Sequence, residues 1–360
     1  MIAYVVESAA LRDNVRQLRS MLAPSTVLWA VVKGNGYGLG VRRLTELLLE
    51  EEITHFAVTS LTEAETVRSL SQTAQILMLH PTCDPTELER LLDADVICTV
   101  ASVENVAVLS AVAQARGTDA RVHCKVDTGM GRYGFRTEEL PLLRRVFETP
   151  GLAVEGVYTH FHSAFCDEKA TRAQYAAFTQ VLAQLRSAGL EPGMCHCCNS
   201  SAALRFPEMH MDAVRIGSAL LGRVNESTQL KRVGWCEASV DTLHQLKKGE
   251  TTGYGAGWRA KADTTLAILP VGYFHGFSVE RGNDLFRFRD CIRRAISQLL
   301  AALRSKTLTV TIRGKRYPVR GHVGMLHIAV DVTGSDVRQG DVAIVDVNPL
   351  LQKGMPIEFR

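Results

Sequence analysis

Two short segments carry residues whose types and spacing suit proton transfer beside a bound small molecule. The segment WAVVKGNGYGLG, residues 29–40, sets Lys33 at the end of a β-branched run and follows it with a glycine-rich turn. A lysine held there in a partly desolvated setting loses basicity and can form a Schiff base with a carbonyl group; an ordinary surface lysine beside a turn is the plainer alternative. The glycines are not a dinucleotide fingerprint, because G-x-G-x-x-G would need glycine at 39 or 41, where Leu39 and Val41 stand. The second segment, HCKVDTGMGRYGF over residues 123–135, sets Asp127 and two glycines between Lys125 and Arg132. A guanidinium in that position could grip a carboxylate at two points, and a solvated loop is the other reading.

Further groups lie downstream. In VYTHFHSAF, residues 157–165, His160 and His162 stand at i and i+2, which share one side of a strand unless it ends between them; the sixth strand is expected to end here, so only one is expected inside. In CHCCNSS, residues 195–201, Asn199 and Ser200 precede a short helical stretch, where the Ser200 hydroxyl either caps the helix or meets a phosphate. VRIG, with Arg215 and Gly217, ends another apolar run. Zinc is a rival use of these histidines and cysteines, but H-E-x-x-H is absent, and buried thiols without a metal are expected.

Positioning such groups on one face requires a scaffold that ends many strands together. Eight β-branched runs, over residues 26–32, 55–59, 75–79, 96–100, 121–126, 152–158, 194–197 and 213–216, alternate with segments of helical period such as 61–70, 85–92, 103–116, 138–147 and 170–188. This pattern predicts an α/β fold, an N-terminal (β/α)8 barrel, whose active face is at the C-terminal strand ends and which often holds phosphate after strands seven and eight. From about residue 236 the chain turns to short strands with glycine turns, as in TLAILPVGYFHG and LTVTIRGKRYPVRGHVGM. The expected division is a barrel over 1–230 and a mainly β domain over 231–360. Within the latter, residues 284–303 (DLFRFRDCIRRAISQLLAAL) alternate basic and apolar faces at helical spacing and read as a helical insertion, with a surface or partner contact as the second reading.

Composition narrows the partners. The 360 residues are 46% hydrophobic and 22% charged, with 41 basic against 38 acidic side chains and a formal charge of +3, which excludes a disordered or collagenous chain. Interleaved charges leave no stripe for nucleic acid, so a small-molecule partner is expected. Nine cysteines, an odd number, do not resemble a secreted disulfide framework. With no stretch of 18 uncharged apolar residues, a cytoplasmic chain without a membrane span is expected.

Taken together and in order, these segments resemble the alanine racemases among the fold-type III pyridoxal phosphate enzymes, over nearly the whole chain. The resemblance implies Lys33 as the cofactor lysine, Tyr37 in the cofactor pocket, Arg132 at the substrate carboxylate, and Lys125 where some members carry a carbamylated lysine. It further implies His160 beside the ring, Asn199, Ser200 and Gly217 toward the phosphate, and Arg215 against the pyridine nitrogen, leaving His162 without a role. In the β domain TGYGAGWRA implies Tyr254 as the second catalytic base, VGY implies Tyr273 at the substrate channel, and GHVGM implies Met325 at the substrate. The implied protein is a pyridoxal 5'-phosphate-dependent isomerase that serves D-alanine and peptidoglycan formation. It would act as a homodimer with shared sites, the tyrosine reaching the lysine site of the other subunit.

Three departures bear on substrate: Leu326 stands where many members have aspartate, Phe274 and His275 replace a frequent Ala-Asp, and the tail VDVNPLLQKGMPIEFR resembles that of the serine/alanine racemases of vancomycin resistance. Asn348 in that tail could line the side-chain pocket and accept a seryl hydroxyl, which makes serine or dual serine/alanine racemisation the alternative; a turn before Pro349 is the simpler use. Two rivals fit less: a non-enzymatic pyridoxal-phosphate-binding protein lacks the β domain, and a fold-type III decarboxylase would carry a cysteine-based acid motif.

Overall fold

The alternation of β-branched runs with capped helical segments closes on itself in the computed structural model, which describes residues 1–226, 228–279, 288–303 and 308–360. Eight parallel strands form a barrel in chain order: Val27–Val31, His55–Val58, Gln75–Met78, Ile97–Val100, Ala120–Asp127, Leu152–Tyr158, Met194–His196 and Ala213–Ile216. The last pairs with the first through Ala213 and Val27, and the fourth with the fifth, so no edge is left open. The helices between start where short polar side chains satisfy free N–H groups. Ser60 accepts from the Glu63 N–H ahead of Leu61–Leu70, Asp84 caps the proline-led Pro85–Asp93, and Ser102 and Asp167 open Val103–Ala115 and Glu168–Ser187.

Both faces of each barrel strand are buried, one by the interior and one by the helices, so the strands read as nearly unbroken apolar runs. Inside, Trp29, Val31, Ala57, Leu77, Ile97 and Ala213 pack as one cluster. The chain divides into a unit of Ser8–Val233, which holds the barrel, and a unit of Met1–Glu7 with Gly234–Arg360. The sequence reading put the first residues with the barrel. In the structure the strand Ile2–Val6 instead pairs antiparallel with Gly234–Ser239 and parallel with Ile357–Phe359. Its ladder gains those partners only in the β unit, and a five-residue apolar strand carries no sign of where they are.

Among the described residues the β unit has a nine-stranded sheet running from Thr242–Leu246 at one edge to Ile357–Phe359 at the other. The expected insertion forms the helix Phe288–Leu303; its first expected residues, 284–287, lie outside the described ones. No helix among the described residues is long and apolar enough to cross a membrane.

Candidate active site

Lys33 follows the first barrel strand and opens a turn of unusual hand. Gly34, Asn35, Gly36 and Tyr37 all have φ between 53° and 63°, a left-handed helical turn. Each non-glycine residue in that region costs about 1–2 kcal/mol, so glycine at two of the four positions halves the strain. The buried Glu63 carboxylate pins the turn, accepting from the backbone N–H groups of Asn35 and Thr59 at 2.9 Å each, while the Asn35 side-chain oxygen accepts from the Val41 N–H at 3.0 Å. The effect is to lift the Tyr37 side chain onto Gly217, where a Cβ would collide with the Tyr37 hydroxyl.

Around Lys33 lie two adjoining cavities of about 230 and 220 Å³ that share Lys33, Leu79, His160 and Arg215. Lys125, Arg132, His80 and Tyr158 line the first; Tyr37, Asn199, Ser200 and Gly217 line the second. No carboxylate lines either, so four cationic side chains face a space built for an anion. Burial, then the guanidinium groups of Arg132 and Arg215, holds the Lys33 amine below the usual lysine range. The same causes bring Lys125 down to about 8. Arg132 is exposed on the loop after the fifth strand, which the Asp127 carboxylate holds by accepting from the backbone N–H groups of Gly129 and Gly131.

Arg215 is 3% exposed and meets no carboxylate among its described partners. It donates to His196 Nδ1 at 2.5 Å and to the Thr159 carbonyl at 2.7 Å, with longer contacts to the Cys197 carbonyl and His160 Nδ1. Because His196 Nδ1 accepts, its proton sits on Nε2, which faces His123 Nδ1 at 2.9 Å. Burial, followed by the charge of Arg215, keeps both imidazoles neutral: His123 falls to about 3 and His196 lies well below its ordinary range. Tyr158 stacks flat on His196, with ring centroids 4.9 Å apart, and its hydroxyl shares a hydrogen bond of 2.9 Å with that of Thr99. The sequence reading did not single out His123, His196 or Tyr158. Their signal was weak: His123 precedes Lys125 by two and His196 follows Met194 by two, which places them on inward-facing positions of their strands.

Of the paired histidines, His160 turns to Arg215 while His162 bonds Ser163 and takes the Gln174 side chain on its backbone N–H. The cap of the short helix Ser200–Arg205 is Asn199, whose side chain accepts from the Ala202 N–H at 3.0 Å. Ser200 is left free of that task, and its hydroxyl receives the N–H groups of Gly217 at 3.0 Å and Ala219 at 3.3 Å. The thiols of Cys195, Cys197 and Cys198 are buried.

The remaining expected residues belong to the β unit. Tyr254, 75% exposed, and Met325 line a cavity of about 570 Å³ with Arg320, His322, Leu326 and His327. The Tyr273 turn is tied to the same loop, its N–H donating to the Gly324 carbonyl at 3.1 Å and that of Phe274 to the Met325 carbonyl. Asn348 is half-buried and its side-chain oxygen accepts from the Leu350 N–H at 3.1 Å, a turn of the kind asparagine makes before proline.

Comparison with known proteins gives a consistent result. The family model described as "Alanine racemase, N-terminal domain" matches residues 6–224, and "Alanine racemase, C-terminal domain" matches residues 233–354. The chain is 34% identical over 332 residues to an alanine racemase of Desulforamulus reducens, covering 90% of this chain and 83% of that one. It is 31% identical to alanine racemase 1 of Oceanobacillus iheyensis, covering 93% and 86%. The solved alanine racemase of E. faecalis superposes with a TM-score of 0.81 at 26% identity, covering 100% of this chain and 98% of that one.

Proposed function

We infer, because this chain belongs to the alanine racemase family, that it is a pyridoxal 5'-phosphate-dependent isomerase interconverting L- and D-alanine. The observation that carries the reading is the cationic space around Lys33, lined by Lys125, Arg132 and Arg215 without a carboxylate. Chiral analysis of L-alanine incubated with the holoenzyme tests it: D-alanine should accumulate to equality, and its absence would reject the reading.

The residues present fit the cofactor. An anion-seeking cavity would suit its phosphate, with Ser200 and Gly217 among the residues lining it. The depressed Lys33 amine suits its carbonyl, and Tyr37 and Arg215 would flank it. When bound, pyridoxal phosphate supplies a conjugated ring that disperses the charge left by a departing α-proton. Lys33 Nζ would take or return the α-proton on one face, a role that its lowered basicity favours. Tyr254 is proposed to do so on the other face. Arg132, exposed at the barrel mouth, would orient the substrate carboxylate by a two-point contact.

Arg215 donates from both terminal nitrogens to fixed acceptors and keeps its protons, so beside a bound cofactor it would present positive charge without giving up a proton. That arrangement limits how long charge persists on the substrate and favours prompt reprotonation over side reactions. His196 is a positioning residue here. His196→Leu leaves a buried guanidinium without its shortest acceptor and should cost about 1–3 kcal/mol of stability. The turnover number should fall about tenfold with little change in KM. His196→Gln, whose amide oxygen can accept, should recover most of both in calorimetry and steady-state assays; equal effects of Leu and Gln would reject the positioning role.

Lys125 makes a second test. Its amine ionises near 8 in the folded protein and 10.5 when exposed, so the unfolded chain binds the extra proton between those values. Folding of the cofactor-free protein should therefore strengthen by roughly 3 kcal/mol as pH rises from about 8 to about 10.5. Lys125→Met should flatten that rise in denaturant titrations. The neutral amine is also suited to add carbon dioxide, the nitrogen bonding the carbon and releasing one proton, and the carbamate so formed would face Arg132; labelling with ¹³C-bicarbonate would reveal it.

A homodimer with shared sites is part of the proposal. It is supported by the exposure of the Tyr254 phenol on the β unit and by the state of the phenols at the barrel cavities. Tyr37 and Tyr158 are both raised to about 12 by burial, which keeps both phenols protonated and so without a phenolate to accept the α-proton.

A further inference from the structure

The helix Phe288–Leu303, inserted between strands of the β unit, takes no part in the chemistry above. Its apolar residues recur at i, i+4, i+8, i+11 and i+12 as Phe288, Ile292, Ile296, Leu299 and Leu300, the spacing of one continuous helix face. Such a face is ordinarily the buried side of a surface helix, yet these five are 81, 44, 52, 62 and 42% exposed. A contiguous apolar stripe of this kind marks a contact surface. Charge indicates what it contacts. The helix Phe288–Leu303 holds three basic side chains, Arg289, Arg293 and Arg294, against the single acidic Asp290, in a chain whose whole formal charge is only +3.

We propose that this basic amphipathic helix lies flat on an anionic lipid surface, its apolar stripe among the acyl chains and its arginines at the headgroups. A helix of high amphipathicity with cations around its apolar arc is the form that binds a membrane interface without spanning it. The long arginine side chains beside the stripe can bury their stems and keep the guanidinium in the headgroup layer. Two copies of a helix with this net positive charge repel one another, whereas an anionic surface attracts it. The racemase would thereby work next to the membrane while its barrel chemistry is unchanged.

The test is sedimentation of the holoenzyme with phosphatidylcholine vesicles, alone or with about one third phosphatidylglycerol. The bound fraction with the anionic vesicles should exceed that with neutral ones by at least about tenfold and fall as salt is raised. The double variant Ile296→Glu, Leu299→Glu should lose about tenfold of that binding while keeping racemase activity and oligomeric state. Arg293→Glu should weaken the preference for the anionic lipid. No binding to anionic vesicles, or equal binding by the double variant, overturns the proposal. So does a double variant that loses a subunit contact, which would assign the stripe to a second copy. Binding is read without turnover, so it stands apart from the activity itself.

Discussion

Lys33→Ala is expected to lower alanine racemisation by at least about ten-thousandfold, the loss of one acid–base group compounded by loss of the amine that anchors the cofactor. The structure gives the reason for so large an effect. The Lys33 amine is half-buried beside Arg132 and Arg215, and desolvation followed by their like charge holds it below the usual lysine range, which favours the proposed role as a base. The other amine at the cavities, Lys125, is held 4% exposed on the fifth strand with its Nζ over the Tyr133 and Tyr158 rings, and is not expected to substitute. The variant should still fold, because the left-handed turn after residue 33 is held by Glu63 and by glycines rather than by the lysine side chain. A Lys33→Ala protein that folds and racemises within tenfold of the parent would remove the lysine from the mechanism.

Tyr254→Phe is expected to reduce racemisation by about a thousandfold while leaving one half-reaction alive. With Lys33 intact, one enantiomer of alanine should still exchange its α-proton for solvent deuterium with retained configuration, and the other should not. A purely structural role for the phenol would lower exchange from both enantiomers equally. The exposed Tyr254 also allows a test of the shared site. Dimers assembled from a mixture of Lys33→Ala and Tyr254→Phe chains should regain about one quarter of parental activity, because half of the random dimers are mixed and each has one intact site of two. If each site drew both residues from a single chain, mixing would restore nothing.

The barrel was legible in the sequence because burial on both strand faces leaves apolar runs whose ends fall close to the observed ones, as at Leu152–Tyr158 and Ala213–Ile216. The residues at those strand ends were legible for the same reason: Lys33, Lys125, His160 and Arg215 break apolar runs at the barrel's active end, and the structure gathers them around one cavity. Less was legible where a side chain's task depends on residues distant in sequence. Nothing local in CHCCNSS distinguishes Asn199 as the cap from Ser200 as the acceptor of the Gly217 and Ala219 N–H groups, since either side chain can cap a helix. The His123–His196–Arg215 chain was hidden because polar residues inside a barrel alternate with apolar ones facing the helices, the reverse of an exposed strand's pattern. The Ile2–Val6 strand gave no sign that its ladder partners lay more than 200 residues away.

The most direct test of the account is proton NMR of L-alanine in deuterium oxide with the holoenzyme, followed by chiral analysis. The account predicts complete deuteration at the α-carbon in both enantiomers, their ratio approaching one, and no exchange with Lys33→Ala. Retention of the α-proton by a protein that holds pyridoxal phosphate, or release of carbon dioxide from the substrate, would contradict it.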